Sequence, residues 1–133
     1  VFYVTRAAWA PLSVKGGVII NIASVAGWHG TRAVGNLAHC ATKGAVLALT
    51  RQLAIEGSAV KIRALSISPG FVLTPGTAEV VANPAVRQAL EGAIPVGRAG
   101  QPADIAAMTV FAASDQAGYL NGSDIVIDGG MSA

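Results

Sequence analysis

Apolar positions along the chain fall into blocks whose spacing predicts alternating helices and strands. From Phe2 to Leu12 apolar residues interleave with Thr5 and Arg6 at helical spacing, and Pro11 is expected to close that helix. Lys15-Gly16-Gly17 reads as a turn. Val18-Ile19-Ile20-Asn21-Ile22 is a β-branched run without alternation, the pattern of a strand buried on both faces. Ala23 to Val34 is a glycine-punctuated loop. Asn36 to Glu56 is the longest helical stretch, with Gly57 as its expected stop. Its nearly all-round apolarity predicts packing on several sides. Ile62 to Ser68 forms a second strand, ended by Pro69-Gly70. Residues 71–100 read as irregular, with one short helix that Asn83 caps, Pro84 opens and Gly92 follows. Gln101-Pro102 begins a helix through Ser114, with Asp104 in its favourable first turn. Asp124 to Ile127 is a third strand, followed by Asp128-Gly129-Gly130.

Strand, long helix, strand, helix, strand is the rhythm of an α/β fold with a parallel sheet and helices on both faces. The strands are expected in the order 18–22, 62–68, 124–127. At 133 residues the chain holds one domain. Hydrophobic residues make up 53% and charged residues only 12%, which is little polar covering for so small a molecule. Much of the apolar surface is therefore expected to be buried against a missing part of the same fold or another subunit. The net charge of +2 is scattered, so no nucleic-acid surface is indicated. Every long apolar run is interrupted by Gly, Pro or charge, which argues against a membrane span. Cys40 is the single cysteine; an intramolecular disulfide is excluded, and a reducing, cytoplasmic compartment is favoured. The chain opens on Val1 and has Met only at 108 and 131, which suggests a fragment of a longer protein.

Ligands of open α/β sheets bind at the carboxyl ends of the strands. Three loops qualify: the one starting at Ala23-Ser24, the run Pro69 to Thr74, and Asp128-Gly129-Gly130. No His or Cys accompanies the last, so it reads as a turn, and no metal site is expected. His39 and Lys43 stand four residues apart on one face of the long helix. A hydroxyl from Ser24, an imidazole and an ammonium could then converge near one strand end, the kind of set that acid–base chemistry requires.

These residues resemble the short-chain dehydrogenase/reductase family. Ile19-Ile20-Asn21-Ile22-Ala23-Ser24-Val25-Ala26-Gly27 is similar to its serine-bearing strand end. His39-Cys40-Ala41-Thr42-Lys43-Gly44-Ala45 is similar to its Tyr-x-x-x-Lys helix, and Ile67 through Thr74 to its cofactor-side Pro-Gly loop. Ile94-Pro95-Val96-Gly97-Arg98, Gly100-Gln101-Pro102, Ala113-Ser114-Asp115 and Gly122 through Gly130 resemble its carboxyl-terminal third. The resemblance implies the carboxyl-terminal half of a partial doubly wound, Rossmann-like sheet. It also implies hydride transfer between NAD or NADP and a small carbonyl or alcohol substrate. By the same resemblance Ser24 polarises the carbonyl and Lys43 holds the nicotinamide ribose. Groups at Pro69, Gly70, Val72 and Thr74 hold the nicotinamide end, and residues 71–100 form a substrate lid. Families of this kind commonly self-associate through the helices that correspond to the one ending near Leu12 and to 36–56.

The sequence departs from the family at the proton-transfer position, where His39 stands in place of tyrosine. An imidazole titrates near neutrality, which suits proton exchange. It reaches roughly 2 Å less far from the backbone than a phenol, so impaired turnover is expected. The family's Gly-rich turn, acidic ribose reader and Asn-Asn-Ala-Gly segment have no counterpart here. The competing expectation is a non-catalytic oligomerisation or scaffolding module derived from the same family.

Overall fold

The computed structural model describes residues 1–30 and 35–133. Part of the loop expected over 23–34 thus lies outside the described residues. Along the chain run α1 (Phe2–Lys15), β1 (Gly17–Ile22), a 3₁₀ turn (Val25–Gly27), α2 (Leu37–Ser58), β2 (Ile62–Pro69), a 3₁₀ turn (Pro75–Thr77), α3 (Pro84–Gly92), α4 (Pro102–Ala113), a 3₁₀ turn (Asp115–Ala117) and β3 (Asp124–Ile127). The three strands are parallel, in the order β1-β2-β3. Ile22 pairs with Ile67, and Pro69 with Ile127, so the carboxyl ends of all three strands lie at one edge of the sheet.

Side-chain alternation assigns the helices to faces. Ile19 and Ala64 pack against Trp9 of α1 and Leu49, Leu53 and Ala54 of α2. Asn21 shares that face, its Nδ2 donating to Thr50 Oγ1 at 2.9 Å. Arg63, one residue from Ala64, must point the other way. Its guanidinium donates to Ala112 O (3.1 Å) and Ser114 O (3.3 Å) at the end of α4, and to Leu120 O (3.1 Å). A cation there satisfies carbonyls that a helix end leaves open. So α1 and α2 cover one face and α4 the other, as the doubly wound expectation requires. The chain advances in the same direction across the sheet from β1 to β2 and from β2 to β3. Helices on opposite faces then give the two crossovers opposite hands, so one of them departs from the right-handed rule that predicted the order.

Four expectations need correction. Pro11 does not close the first helix but sits inside α1, which runs on to Lys15. Pro11 is on the exposed side, where water can replace the hydrogen bond it cannot make. The true stop is Gly16 at φ 81°, where a Cβ would stand 2.6 Å from Lys61 O. Gly57 likewise is not a stop: it lies buried within α2, and a Cβ there would sit 2.7 Å from Ile62 O. Glycine at this position lets the helix approach β2. Third, β1 is not buried on both faces. Val18 to Ile20 are half-buried and Ile22 is exposed, because β1 has a neighbour on one edge only among the described residues; β2, the central strand, is the buried one. Last, within this chain α2 packs on one side: Leu47, Thr50, Leu53, Ala54 and Gly57 are buried, while Leu37 and Ile55 are exposed.

A polar clasp joins β2 to β3. Asp124 accepts from Ser66 Oγ at 2.7 Å and from Ser68 Oγ at 2.8 Å, both serines being buried. The stretch 71–100 is more ordered than its sequence suggests. Val72 makes a parallel bridge with Gly100, through Gly100 N–H to Phe71 O and Leu73 N–H to Gly100 O, each 2.9 Å. Among the described residues no helix is long and apolar enough to cross a membrane.

Candidate active site

Sheet register and the two layers open a depression of about 800 Å³ at the carboxyl ends of β1 and β2. Ser24, His39, Lys43, Pro69, Gly70, Val72 and Thr74 all line it. Ile105, Ala106 and Thr109 of α4 form an apolar wall. Asp128 and Gly129, at the third strand end, instead line a smaller neighbouring cavity of about 310 Å³. The Asp128 carboxylate is occupied in a turn, accepting the N–H groups of Gly130 (2.9 Å) and Ser132 (2.8 Å) and the Ser132 hydroxyl. Partial burial acts to raise its pKa, but the hydrogen bonds outweigh burial and hold it below the usual carboxylate range.

Ser24 follows β1 in extended conformation and caps the 3₁₀ turn, its Oγ accepting Ala26 N–H at 3.2 Å. With one lone pair engaged, the hydroxyl proton is left to donate elsewhere. Lys43, on the second turn of α2, donates from Nζ to Ile22 O at 2.8 Å. That bond ties the helix to the end of β1 and leaves two ammonium hydrogens for a ligand. His39 lies one turn earlier, with an exposed side chain. The Ser24 turn is seated on α2 by two glycines. A Cβ on Gly27 would stand 3.0 Å from Lys43 C and 2.8 Å from Leu47 Cδ1, and one on Gly44 would stand 3.1 Å from Gly27 O.

In the Pro-Gly loop, Gly70 passes so close to Asp128 that a Cβ would meet Asp128 Cβ at 2.6 Å. Beyond it the bridge to Gly100 uses Phe71 O and Leu73 N–H. By strand alternation the N–H and C=O of Val72 lie on the opposite edge. The Val72 carbonyl accepts Thr77 Oγ1 at 2.8 Å, and its N–H has no protein partner among the described residues. Arg98 and Asp104 hold the start of α4: their two hydrogen bonds measure 2.8 and 3.1 Å, and Gln101 N–H adds a third at 2.7 Å. The Arg98 guanidinium, with that amide, lowers the Asp104 pKa to about 2.

A family model described as enoyl-(acyl carrier protein) reductase matches residues 1–132. The chain belongs to the short-chain dehydrogenase/reductase family. Cyclopentanol dehydrogenase of Comamonas sp. is 37% identical over 134 residues, covering 100% of this chain and 53% of that protein. The solved structure of 4-hydroxyisoleucine dehydrogenase with NADH is 36% identical, with a TM-score of 0.87 over 98% of this chain and 54% of that one. An Agrobacterium tumefaciens structure with bound NADP is 36% identical, with a TM-score of 0.89 over 98% and 53%. The chain thus spans about half the length of the curated relatives it matches. Its fold is the family's Rossmann-like α/β architecture, and the curated relatives it matches include dehydrogenases and reductases.

Sequence reasoning missed three residues that shape this site. Gly27 and Gly44 could have been suspected from their places three after Ser24 and one after Lys43, but only the packing shows that they touch. Thr77 carried no signal, since one more hydroxyl in a loop that also holds Thr74 does not stand out.

Proposed function

We propose that this chain is the carboxyl-terminal part of an NAD(P)-dependent oxidoreductase that interconverts a small alcohol and its carbonyl compound. The supporting observation is that Ser24, His39, Lys43, Pro69, Gly70, Val72 and Thr74 line one cavity at the strand ends. The donor set fits a nicotinamide nucleotide: the free Val72 N–H and the Thr74 hydroxyl suit a carboxamide, and the free hydrogens on Lys43 Nζ suit ribose hydroxyls. When bound, the nicotinamide carries the hydride, leaving positioning and electrostatics to the protein.

Ser24 donates to the substrate oxygen and polarises the carbonyl. His39, in the place of the family's tyrosine, exchanges the proton at that oxygen. Its shorter reach calls for an intervening water, so turnover is impaired. Lys43 fixes the ribose beside it. Residues 71–100 cover the substrate. The exposed Phe2, Tyr3 and Val4 of α1 and Ile55 of α2 are surfaces for a second copy or for an amino-terminal half, to be checked by sedimentation.

In the intact protein, His39→Tyr is expected to raise hydride transfer, followed by nicotinamide absorbance, by roughly 10²-fold or more, the scale of general acid–base catalysis. Lys43→Met in that variant should remove most of the gain. Turnover by the histidine form within a few-fold of the tyrosine variant would make the imidazole a competent proton carrier. Cofactor binding without turnover in either form would favour a scaffolding module.

A further inference from the structure

We propose that Thr77 is a positioning residue, which holds the loop 72–74 so that the Val72 amide and the Thr74 hydroxyl stay aimed at the nicotinamide end of the cofactor. The inference rests on the cofactor reading above and goes beyond it to a residue outside the Pro-Gly motif. Thr77 closes the 3₁₀ turn Pro75–Thr77, its own N–H donating to Thr74 O at 3.0 Å. Its hydroxyl then does two things at once. It accepts Thr74 N–H at 2.8 Å and donates to Val72 O at 2.8 Å, with Thr74 Oγ1 at 3.2 Å.

The loop is therefore clamped along both edges. On one edge, the Val72–Gly100 bridge takes Phe71 O and Leu73 N–H. On the other, Thr77 takes Val72 O and Thr74 N–H. The Val72 N–H has no protein partner among the described residues, and the Thr74 hydroxyl, 3.2 Å from Thr77 Oγ1, keeps a lone pair for a ligand; both residues line the cavity. Without the Thr77 hydroxyl, Val72 O and Thr74 N–H lose their partner. Both groups can then turn to reach water, and residues 72–74 leave the place in which the Val72 N–H and the Thr74 hydroxyl face the cavity. Binding to a loop that must first be ordered is weaker by the fraction of time it spends out of place.

The test compares wild type, Thr77→Val and Thr77→Ser in the intact protein by titration with NAD and NADP. Each is set against its ring-free counterpart, ADP-ribose or 2′-phospho-ADP-ribose. Thr77→Val, which keeps the shape and removes the hydroxyl, is expected to weaken the preferred dinucleotide about tenfold, the loss of one well-made hydrogen bond. Affinity for the ring-free counterpart should be unchanged, and Thr77→Ser should restore dinucleotide binding. Equal weakening of both ligands would make Thr77 a general stabiliser of the fold and overturn the proposal. So would unchanged dinucleotide affinity in Thr77→Val. Wild-type protein that binds none of the four nucleotides would overturn the cofactor reading itself, and this inference with it.

Discussion

Replacing Gly27 by alanine tests how the Ser24 turn is held. The new Cβ would lie 3.0 Å from Lys43 C, 3.1 Å from Lys43 O and 2.8 Å from Leu47 Cδ1. The leucine tip can rotate aside. The backbone of α2 cannot, because its next turns are packed onto β2 through Leu53, Ala54 and Gly57. The 3₁₀ turn must therefore retreat by about half an ångström to reach ordinary contact distance. Overpacking of this kind costs about 1–3 kcal/mol, and the stiffer unfolded chain offsets up to about 1 kcal/mol. A net loss of about 1–2 kcal/mol should lower Tm by roughly 3–8 °C in a chain of this size. Ser24 Oγ is tied to the turn through Ala26 N–H, so it moves with it. Under the proposed function, where about 1 Å of misplacement can cost 10²-fold, kcat should fall about tenfold. Thermal melts and steady-state hydride transfer measure the two effects. Gly30→Ala is the control, because among the described residues nothing lies within 4 Å of its added methyl group. Indistinguishable Tm and kcat in the two variants would refute the close-packing account.

Two further outcomes follow from the polar contacts. Asp124→Ala leaves the buried hydroxyls of Ser66 and Ser68 without their acceptor and should cost about 3 kcal/mol in urea unfolding; a loss below about 1 kcal/mol would show that the clasp is dispensable. The Asp104 carboxyl is depressed from 3.8 to about 2 by Arg98 and the Gln101 amide, so its contribution to folding is complete above pH 4 and is lost as pH falls toward 2. Asp104→Asn should remove that part of the acid sensitivity, and identical acid transitions in the two proteins would contradict it.

Much of this architecture is legible because each strand is short and bounded by punctuation. Ile62 to Ser68 and Asp124 to Ile127 differ from the observed strands by one residue or none. The misreadings share a cause: local punctuation does not reveal what lies across from it. Pro11 and Gly57 look like terminators in isolation. One is tolerated because its side faces water; the other is required because Ile62 passes close by. The pattern of β1 overstates its burial because a strand's own residues do not say how many neighbours it has. The candidate site is legible at Ser24, His39, Lys43 and the Pro-Gly loop, where resemblance to a family supplies the grouping. It is only faintly legible at Gly27 and Gly44, whose contacts join segments 15 or more residues apart, and illegible at Thr77, whose loop hydrogen bonds no periodicity announces.

The way the site is fastened also separates its chemistry from its fold. Ser24 is fixed by a backbone amide, Lys43 by the Ile22 carbonyl, and the Pro-Gly loop by the Gly100 bridge and the Thr77 hydroxyl. These anchors lie on β1, α2 and the loop after β2, and β1 and β2 are locked in register by their parallel ladder. His39 stands apart from them: it occupies an exposed position in the first turn of α2, ahead of the buried run that begins at Leu47. A side chain so placed can change without disturbing the scaffold. Substitutions at His39 should move turnover while leaving Tm nearly constant, whereas substitutions at Gly27 move both. Under the proposed function, that contrast turns one pair of measurements into a distinction between a residue that takes part in proton transfer and a residue that places another.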